Sequence, residues 1–174
     1  KTMPIILRIL SNHLNNELEK QAFQILSEWD YEMDGHSSAP SIYRSWYALL
    51  EEFTWEDDLG LDNEKYIWPY RDKMMELILT DPESHWFDNK TTPQIETFSN
   101  ICKTAFHRAV EQLHTHYGNN IEKDWTWEKH NGTDINHLAN ISGMGVMRLP
   151  TSGGSDIPNA TGKTFGPSWR FVIE

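Results

Sequence analysis

Over the first 124 residues, apolar positions recur every three to four residues in separate blocks, and that rhythm predicts amphipathic helices. The first block runs from Pro4 to Trp29 through Ile6, Leu10, Leu14, Leu18, Ala22, Leu26 and Trp29, with a break expected at Asn15-Asn16. Gly35-His36-Ser37-Ser38 reads as a loop whose serines cap the next helix. That helix is expected over Ala39 to Phe53, with Ile42, Trp46, Leu49, Leu50 and Phe53 on one face and Pro40 in its first turn. Trp55 to Asn63 is acidic and reads as a turn around Gly60. Glu64 to Leu79 repeats the amphipathic pattern, with a kink or restart at Pro69. Asp81 to Thr92 reads as a connector pinned by Trp86-Phe87.

The longest helix follows. Thr92-Pro93-Gln94-Ile95-Glu96 looks like its start, Ile95, Phe98, Ile101, Cys102, Ala105, Phe106, Ala109, Val110, Leu113 and Tyr117 form one stripe, and Gly118-Asn119 is the expected left-handed stop. Beyond it the helical rhythm fades. Met144 to Leu149 and Ser168 to Ile173 look like short strands separated by a Gly-rich loop. The predicted fold is mainly α: four to five amphipathic helices, then an irregular segment with two or more short β-strands. One compact unit is expected, with a helical segment over 1–124 and a loop-and-strand segment over 125–174.

Charge narrows the functional classes. Acidic residues outnumber basic ones 26 to 15, for a net charge of -11, which argues against a nucleic-acid partner, since phosphate binding needs clustered Lys and Arg. One cysteine, Cys102, excludes an internal disulfide and a thiol-based zinc site. Its neighbours Phe98, Ile101 and Ala105 predict an inert, buried thiol. No apolar run approaches the ~18 residues of a membrane helix, so no membrane partner is expected. Lys1-Thr2-Met3-Pro4 does not resemble a natural initiation site, and the natural N-terminus is expected elsewhere.

Histidines raise the question of metal. His107, Glu111 and His114 share one helix face, and Glu111-x-x-His114 has the spacing found in carboxylate-bridged di-iron bundles. That architecture requires a second Glu-x-x-His, which the chain lacks, so a polar outer face is the expected reading and no metal site is assigned. His114 and His116 project about 200 degrees apart on a helix and do not chelate one ion there; they suit a helix C-terminus. No Gly-x-Ser-x-Gly elbow occurs, and Gly143-Met144-Gly145 lacks the third glycine of a dinucleotide fingerprint. Asn89, Asn131, Asn140 and Asn159 sit in Asn-x-Ser/Thr sequons, which matter only in a eukaryotic secretory setting. Trp125, Trp127 and His130 suit either an aromatic ligand pocket or a core closed by two indoles.

Several segments taken in order resemble the C-terminal half of the large chain of the penicillin acylase (penicillin amidase) family. They are Tyr117-Gly118-Asn119-Asn120; Trp125-x-Trp127-x-x-His130; Gly153-Gly154-Ser155-Asp156-x-x-Asn159-Ala160; and Gly166-Pro167-Ser168-Trp169-Arg170. Upstream, Leu26-x-x-Trp29-Asp30, Ser38-Ala39 and Ile42-Tyr43-x-x-Trp46 fit the same family. Glu128 stands where the family usually has glycine. The resemblance implies a fragment of a larger αββα N-terminal-nucleophile hydrolase that cleaves the amide between a hydrophobic acyl group and an amine, in penicillins, cephalosporins or acyl-homoserine lactones. In such enzymes a serine freed by autoproteolysis attacks, its own α-amino group is the base, and an asparagine and a backbone N–H hold the oxyanion.

The resemblance places that serine, the oxyanion asparagine and the calcium ligands upstream of the matching region. It therefore implies no catalytic residue and no cofactor in this chain, which would be inert alone. The active-site-proximal candidates are Asp156, foremost, then Asn159 and His130, with Trp125 and Trp127 as substrate-binding candidates. The implied partners are the small chain and the rest of the large chain, with a hydrophobic acyl-amide substrate in the parent. The implied location is extracytoplasmic, periplasmic or secreted, in a bacterium. A truncated edge at Phe171-Val172-Ile173 is expected to be open to pairing with a second copy. The competing reading is a non-enzymatic helical module that binds through Trp125, Trp127 and His130.

Overall fold

The computed structural model describes residues 2–60, 68–139, 141–155 and 157–166. The described residues form seven α-helices, a 3-10 turn and a two-stranded sheet: α1 Met3–Leu10, α2 Glu17–Ser27, α3 Ala39–Leu59, α4 Arg71–Thr80, the turn His85–Phe87, α5 Phe98–Tyr117, α6 Ile121–Asp124, α7 Trp127–Asn131, β1 Thr133–Ile135 and β2 Val146–Leu149. The chain is mainly α with short strands near its C-terminus, as the periodicity predicts. Its contacts divide it into two compact units, residues 1–27 with 44–112 and residues 28–43 with 113–174.

In the first unit the break at Asn15-Asn16 is observed. Asn16 Oδ1 accepts the Glu19 N–H at 2.9 Å, and Glu19 reaches back to the Asn15 N–H at 2.8 Å. This reciprocal pairing satisfies amides that a helix start leaves orphaned. Burial then follows the apolar stripes. Ile6, Leu10 and Leu26, Trp46 and Leu50, Met74, and the face of α5 from Phe98 through Ala105 to Val110 are all nearly inaccessible. The Trp46 indole N–H donates to Cys102 O at 3.1 Å. Cys102 is wholly buried, and that burial pushes its thiol up to about 12, an inert thiol as the flanking residues predicted. Phe87 is buried, and Trp86 meets Trp55 edge to face at 5.4 Å, so the connector is pinned where expected.

Three boundaries differ from the sequence reading. The stretch after Phe53 is not a turn: α3 runs on to Leu59 and stops at Gly60, where φ is +78°. Trp55, buried in the core, carries the acidic turn-like residues with it as helix. The start of α5 lies at Phe98 rather than at Thr92. Thr97 and Asn100 cap it, while Glu96 turns back to bond Thr92 Oγ1 and the Asn89 N–H, leaving Ile95 outside the stripe and exposed. Helix α4 begins at Arg71, and the rest of the predicted block back to Glu64 lies, but for Trp68 to Tyr70, outside the described residues.

In the second unit, α5 ends at Gly118, whose φ is +103° and whose N–H caps His114 O at 2.9 Å, the predicted left-handed stop. Two short helices, α6 and α7, follow where only irregular chain was expected. Each is too short to display a 3.6-residue rhythm. The predicted strand at Met144 to Leu149 appears as β2, antiparallel to β1, which alternation over three residues could not announce. Thr133 pairs with Leu149 and Ile135 with Val146, so β2 carries one extra residue and bulges. Arg148 takes the strained backbone there, with φ +53°, and its N–H donates to Asp134 Oδ1 at 2.7 Å. The predicted strand Ser168 to Ile173, with the edge at Phe171 to Ile173, lies outside the described residues.

Candidate functional site

The sequence candidates gather in the second unit around the Trp125-x-Trp127-x-x-His130 segment. Asn120 caps α6 through its side chain, which accepts the Lys123 N–H at 3.1 Å, and Ser38 Oγ donates to Ile121 O at 2.7 Å. Trp125 follows, wholly buried, with its indole N–H on Gly118 O at 2.9 Å. At the start of α7 the backbone N–H groups of Trp127 and Glu128 donate to Ser37 O and Gly35 O, each at 2.8 Å. The predicted serine loop therefore supplies carbonyls to α7, and of its two hydroxyls Ser37 Oγ accepts the Ala39 N–H at 3.3 Å at the start of α3 while Ser38 Oγ is spent on α6.

Trp127 is the hub. Its indole N–H donates to Gly153 O at 2.6 Å, its ring lies beside Gly154, and His130 stacks on it at 5.3 Å with 17° between the planes. The Tyr117 ring also neighbours His130, with centroids 6.1 Å apart. Burial raises the Tyr117 hydroxyl above its ordinary pKa, partly offset by Arg148.

The Gly-rich segment closes around that hub as a small loop. Gly153 N–H donates to Met33 O at 2.8 Å, Gly154 N–H to Asn159 O at 3.1 Å, and the Asn159 side-chain amide to Ser152 O at 3.1 Å. Thr161 Oγ1 also donates to Ser152 O, and accepts from the Asn131 side chain at 3.2 Å. Ser152 Oγ accepts the Gly35 N–H at 2.8 Å. Gly153 has φ +102°, and a Cβ there would lie 2.1 Å from Asn159 O, so only glycine fits. Asn159 is thereby tied into the base of the loop, and Asp156 lies outside the described residues.

Of the predicted residues, the structure brings Trp127, His130 and, through Gly153, Asn159 together. Trp125 is held separately by Gly118. Both indole N–H groups are taken up by the chain's own carbonyls. In the first unit, His107 Nδ1 pairs with the buried Glu19 carboxylate at 2.6 Å, and Glu111 lies near Arg108. No group of three His, Cys, Asp or Glu placed to hold a metal ion occurs among the described residues. The Glu19–His107 pair escaped the sequence reading, although Asn16-x-x-Glu19 has capping-box spacing. The contacts from Met33, Gly35 and Ser152 had no local signal, because their partners lie about a hundred residues away.

A model of the penicillin amidase family matches residues 2–174. The chain belongs to the penicillin amidase family. No curated protein and no solved structure matches it. Membership extends over both units, so the helices of the first belong to the penicillin amidase pattern as much as the loop region does. Within the second unit, two pairs of the segments resembling the family meet: the Ser38-Ala39 turn bonds α6, and the Trp127 indole bonds the Gly153-Gly154 turn. No helix among the described residues is long and apolar enough to cross a membrane.

Proposed function

We propose that this chain is the helical and loop portion of an amidohydrolase that cleaves the amide between a hydrophobic acyl group and an amine, of the β-lactam or acyl-homoserine-lactone kind. The unbroken family match over residues 2–174 carries this reading. On it, the nucleophile is an N-terminal serine outside these residues, exposed by autoproteolysis, and any calcium is bound by ligands that also lie outside them. The small chain and the rest of the large chain are the partners, and the location is periplasmic or secreted. The internal bonding of Trp125, Trp127 and Asn159 supports a role as the frame that fixes the Gly153-Gly154 loop, rather than as groups that touch substrate. The same bonding counts against a binding module built on the two indoles.

The test is amine release from phenylacetyl-amide and acyl-homoserine-lactone substrates, by the 174-residue chain and by the protein that contains it. Turnover is expected from the containing protein only. Clear turnover by the 174 residues alone overturns the assignment of the nucleophile, and inactivity of the containing protein on both substrate classes overturns the substrate assignment.

A further inference from the structure

A backbone nitrogen can attack the side-chain carbonyl carbon of the Asn or Asp before it and close a five-membered succinimide. The attack is easiest where the attacking residue has no Cβ to obstruct it and where its N–H is free to lose the proton. Two pairs in the chain meet the first condition, Asp34-Gly35 and Asn131-Gly132. The structure separates them by the second. Gly35 is buried, and its N–H donates to Ser152 Oγ at 2.8 Å. Gly132 leaves α7 with φ -49° and ψ 132°, and its N–H finds no acceptor among the described residues. Asn131, the last residue of α7, is half-buried, so water reaches it. Its amide also loses ammonia, a better leaving group than the hydroxide that Asp34 would have to expel.

A change at Asn131 acts on the loop it holds. Asn131 Nδ2 donates to Thr161 Oγ1 at 3.2 Å, and Thr161 Oγ1 spends its own proton on Ser152 O, also at 3.2 Å. A carboxylate at position 131 has no proton to give, so two acceptors would face each other at the base of the loop. An isoaspartyl linkage also adds a carbon to the backbone where space is short. A Cβ on Gly132 would already lie 3.0 Å from Glu128 O and 3.2 Å from Arg148 Cα.

We propose that Asn131-Gly132 is a site of spontaneous deamidation whose products release the Ser152 to Thr161 loop. Hydroxide takes the Gly132 N–H proton, the nitrogen bonds Asn131 Cγ, and the Cγ–Nδ2 bond breaks as ammonia leaves with a proton from water. A second water opens the ring at either carbonyl, leaving aspartate or isoaspartate and one added negative charge. Water is the only co-reactant, and the inference is independent of the amidohydrolase reading. Its test is ageing of the folded chain at mildly alkaline pH, followed by peptide mass mapping and enzymatic labelling of isoaspartate. Conversion is expected at Asn131 at least about tenfold faster than at any other asparagine, with no isoaspartate at Asp34. Amide exchange at Gly153, Gly154 and Thr161 should quicken about tenfold in the converted chain, the loss of one hydrogen bond. Asn131→Gln keeps the donor but closes a six-membered ring far more slowly, so ageing should leave that variant unlabelled and its loop exchange unchanged. Conversion at Asn131 no faster than elsewhere overturns the site. Isoaspartate at Asp34 in comparable amount overturns the selection by the free N–H, and conversion with unchanged loop exchange overturns the release.

Discussion

Helix α5 and the segment from Thr133 to Thr161 are held in place by different means. In α5 the residues Phe98, Cys102, Ala105, Phe106, Ala109, Val110 and Leu113 are each at most 2% exposed, and the helix's own backbone bonds need no distant partner. In the later segment Ile135, Leu138, Ile141, Met144, Val146, Met147 and Leu149 all stand exposed. Its later part, from Ser152 to Thr161, is tied instead by hydrogen bonds: the Gly35 N–H, the Trp127 indole and the Asn131 amide donate to it, Met33 O accepts the Gly153 N–H, and Asn159 bonds Ser152 O within it. Apolar burial is proportional to area and tolerant of detail, whereas a hydrogen-bonded loop depends on single atoms. Substitutions should therefore behave differently in the two regions.

The largest effect is expected in the helical core. Trp46→Ala removes a fully buried indole and its bond to Cys102 O, at a cost of about 3–5 kcal/mol. That is a large fraction of the roughly 5–15 kcal/mol that holds a domain together. Trp46→Phe keeps most of the volume and should lose only about 1–2 kcal/mol. Urea unfolding reads both, and near-equal losses would mean that the bond, not the packing, is what Trp46 contributes.

In the loop the largest single cost should come from adding one carbon. Gly153→Ala places a methyl 2.1 Å from Asn159 O at φ +102°, and because the obstacle is backbone no rotamer escapes it. A loss of about 2–4 kcal/mol is expected. Gly143→Ala is the matched control. Its φ is +80° but nothing lies within 4 Å of the added carbon, so only the conformational cost of about 1 kcal/mol remains. Equal effects at the two glycines would show that the Gly153–Asn159 approach is not tight in solution.

Trp127→Phe tests the hub. It keeps the ring beside Gly154 and His130 but leaves Gly153 O without the indole N–H, a penalty of about 1–3 kcal/mol. Hydrogen exchange should quicken at Gly153, Gly154 and Thr161 and stay unchanged along α5 between Ile101 and Val110. A uniform change along the chain would break the distinction between the two regions.

This distinction also explains what could be read from sequence. The stripe of α5, its stop at Gly118, the break before α2 and the pinned Trp86-Phe87 connector all depend on spacings of three or four residues, or on one glycine, and were legible. The extension of α3 was hidden because Glu56, Asp57 and Asp58 read as a turn, while the burial of Trp55, which keeps them helical, is a tertiary fact. Helices α6 and α7 take their start from Asn120 and from carbonyls of the Gly35–Ser37 loop, and a periodicity window sees neither. At the candidate site the residues were named from sequence, but their roles were not. Whether Trp127 faces a ligand or its own Gly153 depends on a partner 26 residues away, and composition holds no trace of that pairing.

The smallest effect should fall where exposure is greatest. Leu138 is as exposed as an extended chain allows, at 102%. Leu138→Ser removes apolar surface that is in water in both the folded and unfolded states, so stability should change by no more than about 0.5 kcal/mol. A loss above about 2 kcal/mol would place Leu138 in a packed contact, and the hairpin would then be held by apolar burial, as α5 is, rather than by its hydrogen bonds.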